Sequence, residues 1–187
     1  MKRATIVYSL SLLMLLAAGL AGCEKDDNET TFGTVSIFMP QATVAATRYA
    51  VPSGLDSATY NYKIDAAGDK VNVILGIVRS GTQGTEAFSV AVAANADTAA
   101  KMISNSVLDP AVHVVMPAGL YTLPTEVKVA TGKTGNTFYL SLNKTQLKTY
   151  AGKKLVLGVV ISQPSNYVIT PGTDKVIVIV DVNALKL

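Results

Sequence analysis

Few side chains in this 187-residue chain have the chemistry of a catalytic or metal-binding group. Cys23 is the one cysteine and His113 the one histidine. A structural zinc site needs about four Cys, His or carboxylate ligands, and a serine hydrolase needs a histidine beside an activated serine. His113 has no nucleophile motif near it and lies between Val112 and Val114, as an ordinary strand residue would. We therefore expect no enzyme activity, no metal site and no cofactor.

Carboxylates outside the first 33 residues are spread along the chain at positions that suit turns and helix caps. Most of them lie beside glycine or proline, or at the ends of apolar runs. Asp65 and Asp69 flank Gly68 and could reach one calcium ion, but the loop lacks the dense set of oxygen ligands that calcium takes. A turn is therefore the favoured interpretation of this loop. Glycoside hydrolysis by a carboxylate pair is the least favoured function.

Tyrosines offer the remaining chemistry that a binding protein could use. The chain has eight tyrosines and no tryptophan. In the segment 59–65 a strand would place Tyr60 and Tyr62 on one face, roughly 6.5–7 Å apart. Flat rings at that spacing could seat successive sugar units, so Tyr60 and Tyr62 are the candidate ligand-binding residues. The alternative is a structural pair of half-buried tyrosines, and the sequence favours it.

The N-terminus has the layout of a secretory signal peptide. Lys2 and Arg3 precede an apolar run from Ile6 to Leu20, which is shorter than the roughly 20 apolar residues that cross a bilayer as a helix. The sequence Leu-Ala-Gly-Cys at 20–23 resembles the bacterial lipobox. The resemblance implies cleavage before Cys23 and attachment of lipid to its thiol. We therefore assign residues 1–22 to a lipoprotein signal peptide and expect the outer membrane as a partner through the lipid anchor.

The residues after Cys23 are polar and acidic as far as Gly33. This composition favours a flexible tether, so residues 23–33 are predicted to be the lipidated cysteine and its tether. Lys25, Asp26 and Asp27 also resemble the export signal of surface lipoproteins in Bacteroidota-type bacteria. The resemblance implies an outer-membrane protein that faces the cell exterior; retention facing the periplasm is the open alternative.

Short β-prone segments separated by glycine and proline make up residues 34–187. The predicted strands cover 34–39, 43–51, 59–65, 71–78, 88–92, 111–116, 126–129, 137–142, 155–162 and 175–182. The apolar runs 71–78 and 155–162 are expected to be central. A short helix is predicted over 98–105, capped by Asn95 or Asp97, and a single helical turn over 144–150, capped by Asn143. This pattern predicts one all-β domain, a sandwich or a barrel.

The second half of the chain resembles a known domain family. Its landmarks are Tyr-Thr-Leu-Pro at 121–124 and the Gly-Lys turn at 132–133, followed by the last three predicted strands. This order is similar to a domain of unknown function at the N-terminus of Bacteroides-type surface lipoproteins, often found in polysaccharide-utilisation systems. The resemblance covers about residues 71–182 and implies an immunoglobulin-like β-sandwich with one or two short helical turns. It supplies no catalytic residues, and the functions of C-terminal domains in longer relatives are not carried over.

These features predict a non-catalytic cell-surface lipoprotein with an accessory binding role in glycan capture or utilisation. Its partner would be a polysaccharide or another surface protein. Without the first 22 residues, fourteen basic and thirteen acidic residues remain, and no run of basic residues indicates nucleic-acid binding. The alternative is a structural or adhesive subunit that assembles by β-strand addition, because the apolar strand from Val176 to Val182 could pair across chains.

Overall fold

A computed structural model describes residues 35–43, 48–56, 59–81, 84–185 and 187. These residues belong to one compact unit, Thr34–Leu187. The predicted signal peptide, Cys23, the predicted tether and the predicted export signal Lys25, Asp26 and Asp27 lie outside the described residues. Within the described ranges, no helix has the length and apolar character needed to cross a membrane.

Twelve strands and two short α-helices run through the described ranges. In chain order the strands are β1 (Ser36–Phe38), β2 (Arg48–Val51), β3 (Tyr62–Asp65), β4 (Lys70–Arg79), β5 (Phe88–Asn95), β6 (His113–Val115), β7 (Tyr121–Thr122), β8 (Glu126–Val129), β9 (Gly135–Asn143), β10 (Lys154–Ser162), β11 (Val168–Ile169) and β12 (Lys175–Asp181). The helices are α1 (Ala96–Ser104) and α2 (Lys144–Leu147), and 3₁₀ helices cover Pro40–Thr43, Ala118–Leu120 and Lys148–Tyr150.

The strands form two six-stranded sheets. Sheet A has the order β11-β1-β4-β9-β7, and β3 also pairs with β4. Sheet B has the order β2-β12-β10-β5-β8, and β6 also pairs with β10. Three pairs are parallel, β1 with β11, β2 with β12 and β6 with β10, and the others are antiparallel. The central strands β4 and β10 are the two apolar runs that the sequence placed in the centre.

The two sheets share one core. Alternate residues of β4 are fully buried, as are Leu155, Leu157 and Val159 of β10, and all of them belong to the same cluster. Each such side chain contributes about 1.5–3 kcal/mol by leaving water. The predicted all-β sandwich with one or two short helical turns is confirmed.

Helix α1 explains why β10 is apolar on both faces. The helix covers the outer face of sheet B, where Ala99 packs with Val156 and Ile177. The Asn95 side chain caps α1, because its Oδ1 accepts a hydrogen bond from the Thr98 amide at 3.0 Å. The predicted helix and its asparagine cap are therefore confirmed. Asn143 caps α2 in the same way.

Three predicted strands, 43–51, 59–65 and 111–116, are clearly shorter than the sequence indicated. Residues 59–65 form a strand only from Tyr62, so Tyr60 precedes β3. Residues 43–51 were expected to be one strand, but a 3₁₀ helix covers Pro40–Thr43 and β2 begins only at Arg48. The division lets the chain pass from β1 in sheet A to β2 in sheet B. Residues 111–116 were expected to be extended, but a turn hydrogen bond from the His113 amide to the Asp109 carbonyl, 2.9 Å, delays β6 until His113.

β12 lies inside sheet B rather than at its edge. Ile177–Val180 pairs with Arg48–Val51 on one side, and Lys175–Asp181 pairs with β10 on the other. Strand addition at Val176–Val182, on which the adhesive alternative depended, would need a free edge that this strand does not have.

The first and the last strand of the described domain lead to opposite ends of the sandwich. β1 pairs with the end of β4, where Ile37 is opposite Arg79. β12 ends at Asp181, which is opposite Lys154, the first residue of β10. α2 and the 3₁₀ helix after it connect the last residue of β9 to β10, so the start of β4 and the start of β10 share one end of the sandwich.

Candidate functional site

Tyr60 and Tyr62 do not form the side-by-side platform that strand spacing predicted. Their rings are stacked on each other, with centroids 5.4 Å apart and planes within 10°. Tyr62 is 5% exposed and Tyr60 packs against the core. Because each ring covers one face of the other, this arrangement fits the structural alternative better than a two-ring sugar platform.

The other residues considered for chemistry have structural partners. The His113 Nδ1 lies 2.9 Å from the Asp109 carbonyl oxygen. The Asp65 carboxylate accepts a hydrogen bond from the Gly68 amide at 2.9 Å, and Asp69 accepts one from the Thr145 hydroxyl at 3.0 Å. The loop 65–69 is therefore a turn, as the sequence favoured. Among the described residues, no group of three His, Cys, Asp or Glu side chains could hold a metal ion.

The outer face of sheet A carries a row of polar residues, and we call it the β4–β9 face. It consists of the residues of β4 and β9 that alternate with the core positions, and three pairs form its centre: Asn72 with Ser141, Ile74 with Tyr139, and Gly76 with Thr137. Successive pairs along a strand are roughly 6.5–7 Å apart.

Tyr139 is the aromatic side chain of this face and is 38% exposed. Next to it, the Ser141 hydroxyl donates a hydrogen bond to the Asn72 Oδ1 at 2.6 Å. This bond fixes both side chains, while the Ser141 oxygen can still accept and the Asn72 amide can still donate. An exposed ring beside fixed hydrogen-bonding groups can contact the apolar face and the hydroxyl groups of a sugar.

Shallow depressions lie along the β4–β9 face. One of about 390 Å³ is lined by Tyr139, Ser141 and Thr122, and one of about 230 Å³ continues from Ser141 and Thr122 to Lys70. A third of about 430 Å³ has Gly76 and Thr137 in its lining. The first two share Thr122 and Ser141, and the third, which shares no lining residue with them, reaches Thr137 further along β9.

Gly76 lies on this face without a side chain and is buried by its neighbours. A Cβ atom there would have the Asn136 carbonyl oxygen as its nearest neighbour, at 3.5 Å, which is ordinary van der Waals contact. The Gly76 amide donates a hydrogen bond to the Gln41 Oε1 at 3.3 Å. This bond lies in the stretch of β4 between the residues that pair with β3 and those that pair with β1. Position 76 therefore accommodates a methyl group at ordinary contact distance, close to Asn136 and Gln41.

Tyr49 supports the same strand from the other sheet. Its hydroxyl donates to the Ile74 carbonyl oxygen at 3.1 Å. Burial raises the pKa of the Tyr49 hydroxyl, and hydrogen bonds to Asn61 and Gln41 oppose the rise. The phenol is therefore a neutral donor that positions Ile74 opposite Tyr139.

Sequence reasoning included Tyr139 only among several tyrosines and did not select Asn72, Ser141 or Gly76. Asn72 gave one usable signal, because it is a polar residue inside the apolar run 71–78. The pairing of Asn72 with Ser141, 69 positions apart, depends on strand register. Register is not visible in the composition of either strand.

The fold and its open sheet face define an all-β sandwich domain, and sequence comparison gives its family. A family model described as a "-like, N-terminal domain" matches residues 27–168. The chain belongs to this family, which confirms the resemblance to an N-terminal domain found in longer Bacteroides-type proteins. No curated protein is detectably similar in sequence.

Solved structures from Bacteroides share the fold. A "putative carbohydrate binding protein" from Bacteroides ovatus is 11% identical with a TM-score of 0.50, and the match covers 78% of this chain and 36% of that one. A two-domain protein of unknown function from Bacteroides fragilis is 8% identical with a TM-score of 0.50, covering 79% and 45%. A third, a protein of unknown function from Bacteroides ovatus, is 10% identical with a TM-score of 0.52, covering 80% and 52%. This chain thus spans between about a third and a half of the length of these proteins.

Proposed function

We propose that this protein is a non-catalytic binding module that holds a glycan against the β4–β9 face, as an accessory in glycan capture or utilisation. The observation that carries the proposal is the exposed Tyr139 ring beside the hydrogen-bonded Asn72 and Ser141 side chains. Sites for small ligands combine apolar or aromatic surface with a few fixed polar groups, and this face has both.

The open shape of the face supports an elongated ligand rather than a small molecule. The depressions are shallow and follow the strands, and the ladder from Asn143 to Gly135 extends about 26 Å at 3.3 Å per residue. Several sugar units could lie on such a surface, each with modest contact. The name of the Bacteroides ovatus structural relative, a "putative carbohydrate binding protein", agrees with this ligand class.

The proposed location is the outer membrane, with lipid attached to Cys23 and the domain at the cell exterior. This part rests on the sequence alone, through the lipobox and the residues Lys25, Asp26 and Asp27. Two or three acyl chains would give stable membrane residence, because each buried methylene contributes about 0.8 kcal/mol. A surface position would place the β4–β9 face where polysaccharides are available.

The test is binding of a soluble chain of residues 34–187 to a polysaccharide panel, by retardation in affinity gels. We expect retardation by at least one polysaccharide. Tyr139→Ala should weaken it about tenfold or more, as expected for the loss of a central aromatic contact, and Tyr139→Phe should retain most of it. Gly76→Ala should also weaken binding without unfolding the domain, because the added Cβ meets its nearest neighbour at 3.5 Å, an ordinary contact.

Val168→Ala is the matched control, since this side chain on β11 is 55% exposed and does not line the depressions. The proposal is wrong if no polysaccharide retards the wild-type domain. The location of the site is wrong if Tyr139→Ala binds as well as Val168→Ala.

A further inference from the structure

A further depression, on the outer face of sheet B, differs in chemistry from the three depressions described for the β4–β9 face. Its volume is about 500 Å³, and its lining includes Ala87, Ser89, Glu126, Lys128, Ala130 and Ser165. We call it the β5–β8 depression, because Ser89 of β5 is paired with Lys128 of β8 across its floor. Its volume is within the range of about 300–1,000 Å³ that small-ligand sites occupy.

One wall of the β5–β8 depression is fixed by hydrogen bonds from the loop before β11. The Ser165 amide donates to the Ser89 carbonyl at 2.9 Å, and the Ser89 amide donates to the Ser165 Oγ at 2.9 Å. The Asn166 Nδ2 donates to the Ala87 carbonyl at 2.8 Å. A ligand that enters this depression therefore meets a wall that is already ordered, which lowers the entropy lost on binding.

The opposite side carries a charged pair. The Lys128 Nζ lies 3.2 Å from the Glu126 Oε2, and the two side chains are 77% and 46% exposed. Hydrogen bonds from Ser89 and then Lys128 hold the pKa of the Glu126 carboxyl below its usual range, so the group is ionised at neutral pH. An ion pair this exposed contributes little to stability, so its members can reorient toward a ligand at small cost to the fold.

We propose that the β5–β8 depression binds one neutral sugar unit through two adjacent hydroxyl groups. The Glu126 carboxylate accepts hydrogen bonds from both hydroxyls, and the Lys128 ammonium donates to one of their oxygens. The small side chains of Ala87 and Ala130 leave room for the sugar ring. An acidic sugar would face the Glu126 charge, whereas a neutral sugar leaves the pair balanced. The inference rests on the proposed function for its ligand class, but it does not need the β4–β9 face.

The test is a titration of the ¹⁵N-labelled chain of residues 34–187 with D-glucose, D-galactose, D-mannose and D-glucuronate. The amide chemical shifts of the protein are measured at each sugar concentration. At least one neutral sugar should shift the amides of Ser89, Glu126 and Lys128 in a saturable way, and glucuronate should bind at least about tenfold more weakly. Glu126→Gln should weaken the neutral sugar about tenfold or more, the change expected when a hydrogen bond loses its charged acceptor.

The matched control is Asp181→Asn, which removes the carboxylate of the ion pair with Lys154, 3.5 Å, far along the sheet from Ser89. It should bind like the wild type. The inference is overturned if no neutral sugar shifts the three amides, if Glu126→Gln and Asp181→Asn bind equally well, or if glucuronate binds more tightly. Tyr139→Ala separates the two proposals: it should leave these shifts unchanged even where it abolishes polysaccharide retardation.

Discussion

Gly158 is an interior position where a single added methyl group should disturb the packing of sheet B. It lies in the interior strand β10, opposite Asn95. A Cβ atom at this position would lie 2.6 Å from the Asn95 carbonyl oxygen and 3.3 Å from the Asn95 Cβ. The first of these atoms is backbone, so rotation of a side chain cannot relieve the contact. Gly158→Ala must therefore move β5 relative to β10.

The expected loss of stability follows from these contacts. Overpacking of a well-packed site costs about 1–3 kcal/mol. The displaced residue also caps α1, and the helix covers Val156 and Ile177, so part of the loss should come from the helix. For a domain of this size each kcal/mol lowers Tm by about 2–4 °C, which gives a decrease of roughly 2–12 °C.

Gly119→Ala is the matched control, because a Cβ at that exposed glycine would have no heavy atom within 4 Å. It should be neutral or stabilising by up to about 1 kcal/mol, since alanine restricts the unfolded chain. Urea unfolding should show a lower midpoint for Gly158→Ala with an unchanged slope, and the Thr98 amide should exchange faster. Equal stability of the two variants would refute the packing argument.

Three further predictions concern the sheet, a buried phenol and the N-terminus. A chain that stops at residue 168 loses β12 from between β2 and β10 and should not give a cooperative unfolding transition by circular dichroism; a cooperative transition would show that sheet B closes without it. Burial raises the pKa of Tyr49, so its contribution to stability is complete below pH 10.0 and is lost as the pH rises through the folded-state pKa. Tyr49→Phe should lose about 1 kcal/mol at neutral pH and decline less steeply above pH 10.0, whereas parallel curves in urea titrations would contradict this. Cys23→Ala should abolish labelling by radioactive palmitate, and Ala at positions 25–27 should protect the protein from protease added to intact cells; unchanged cleavage would reject the export signal.

The regular parts of the fold were predictable because their patterns are local. The apolar runs of β4 and β10 indicated strands buried in the centre of sheets, and Asn95 and Asn143 indicated helix caps from their own positions. The segment 43–51 was misjudged because its β-prone composition does not show that the chain must leave sheet A for sheet B there.

The candidate site was less predictable because it depends on pairing between distant segments. Tyr60 and Tyr62 lie close together, but β3 begins only at Tyr62, so strand alternation does not set their spacing. The pattern also could not show that Tyr62 is buried and that Tyr60 stacks on it. The neighbours of Tyr139 come from β4, and Glu126 meets Ser89 only through the β5–β8 pairing. Such neighbours are set by register, which single-sequence patterns leave open.

The parallel pairing of β2 with β12 determines how the domain responds to mechanical force. The pair joins Arg48–Val51, near the start of the described unit, directly to Ile177–Val180, near its end. Tension applied between the two ends of the chain would first load β1 and, once β1 is detached, would pull β2 and β12 in opposite directions along their length. The hydrogen bonds between them would then be loaded together in shear rather than opened one at a time. A domain pulled at its two chain ends should therefore resist extension, with a lifetime under load governed by its unfolding rate.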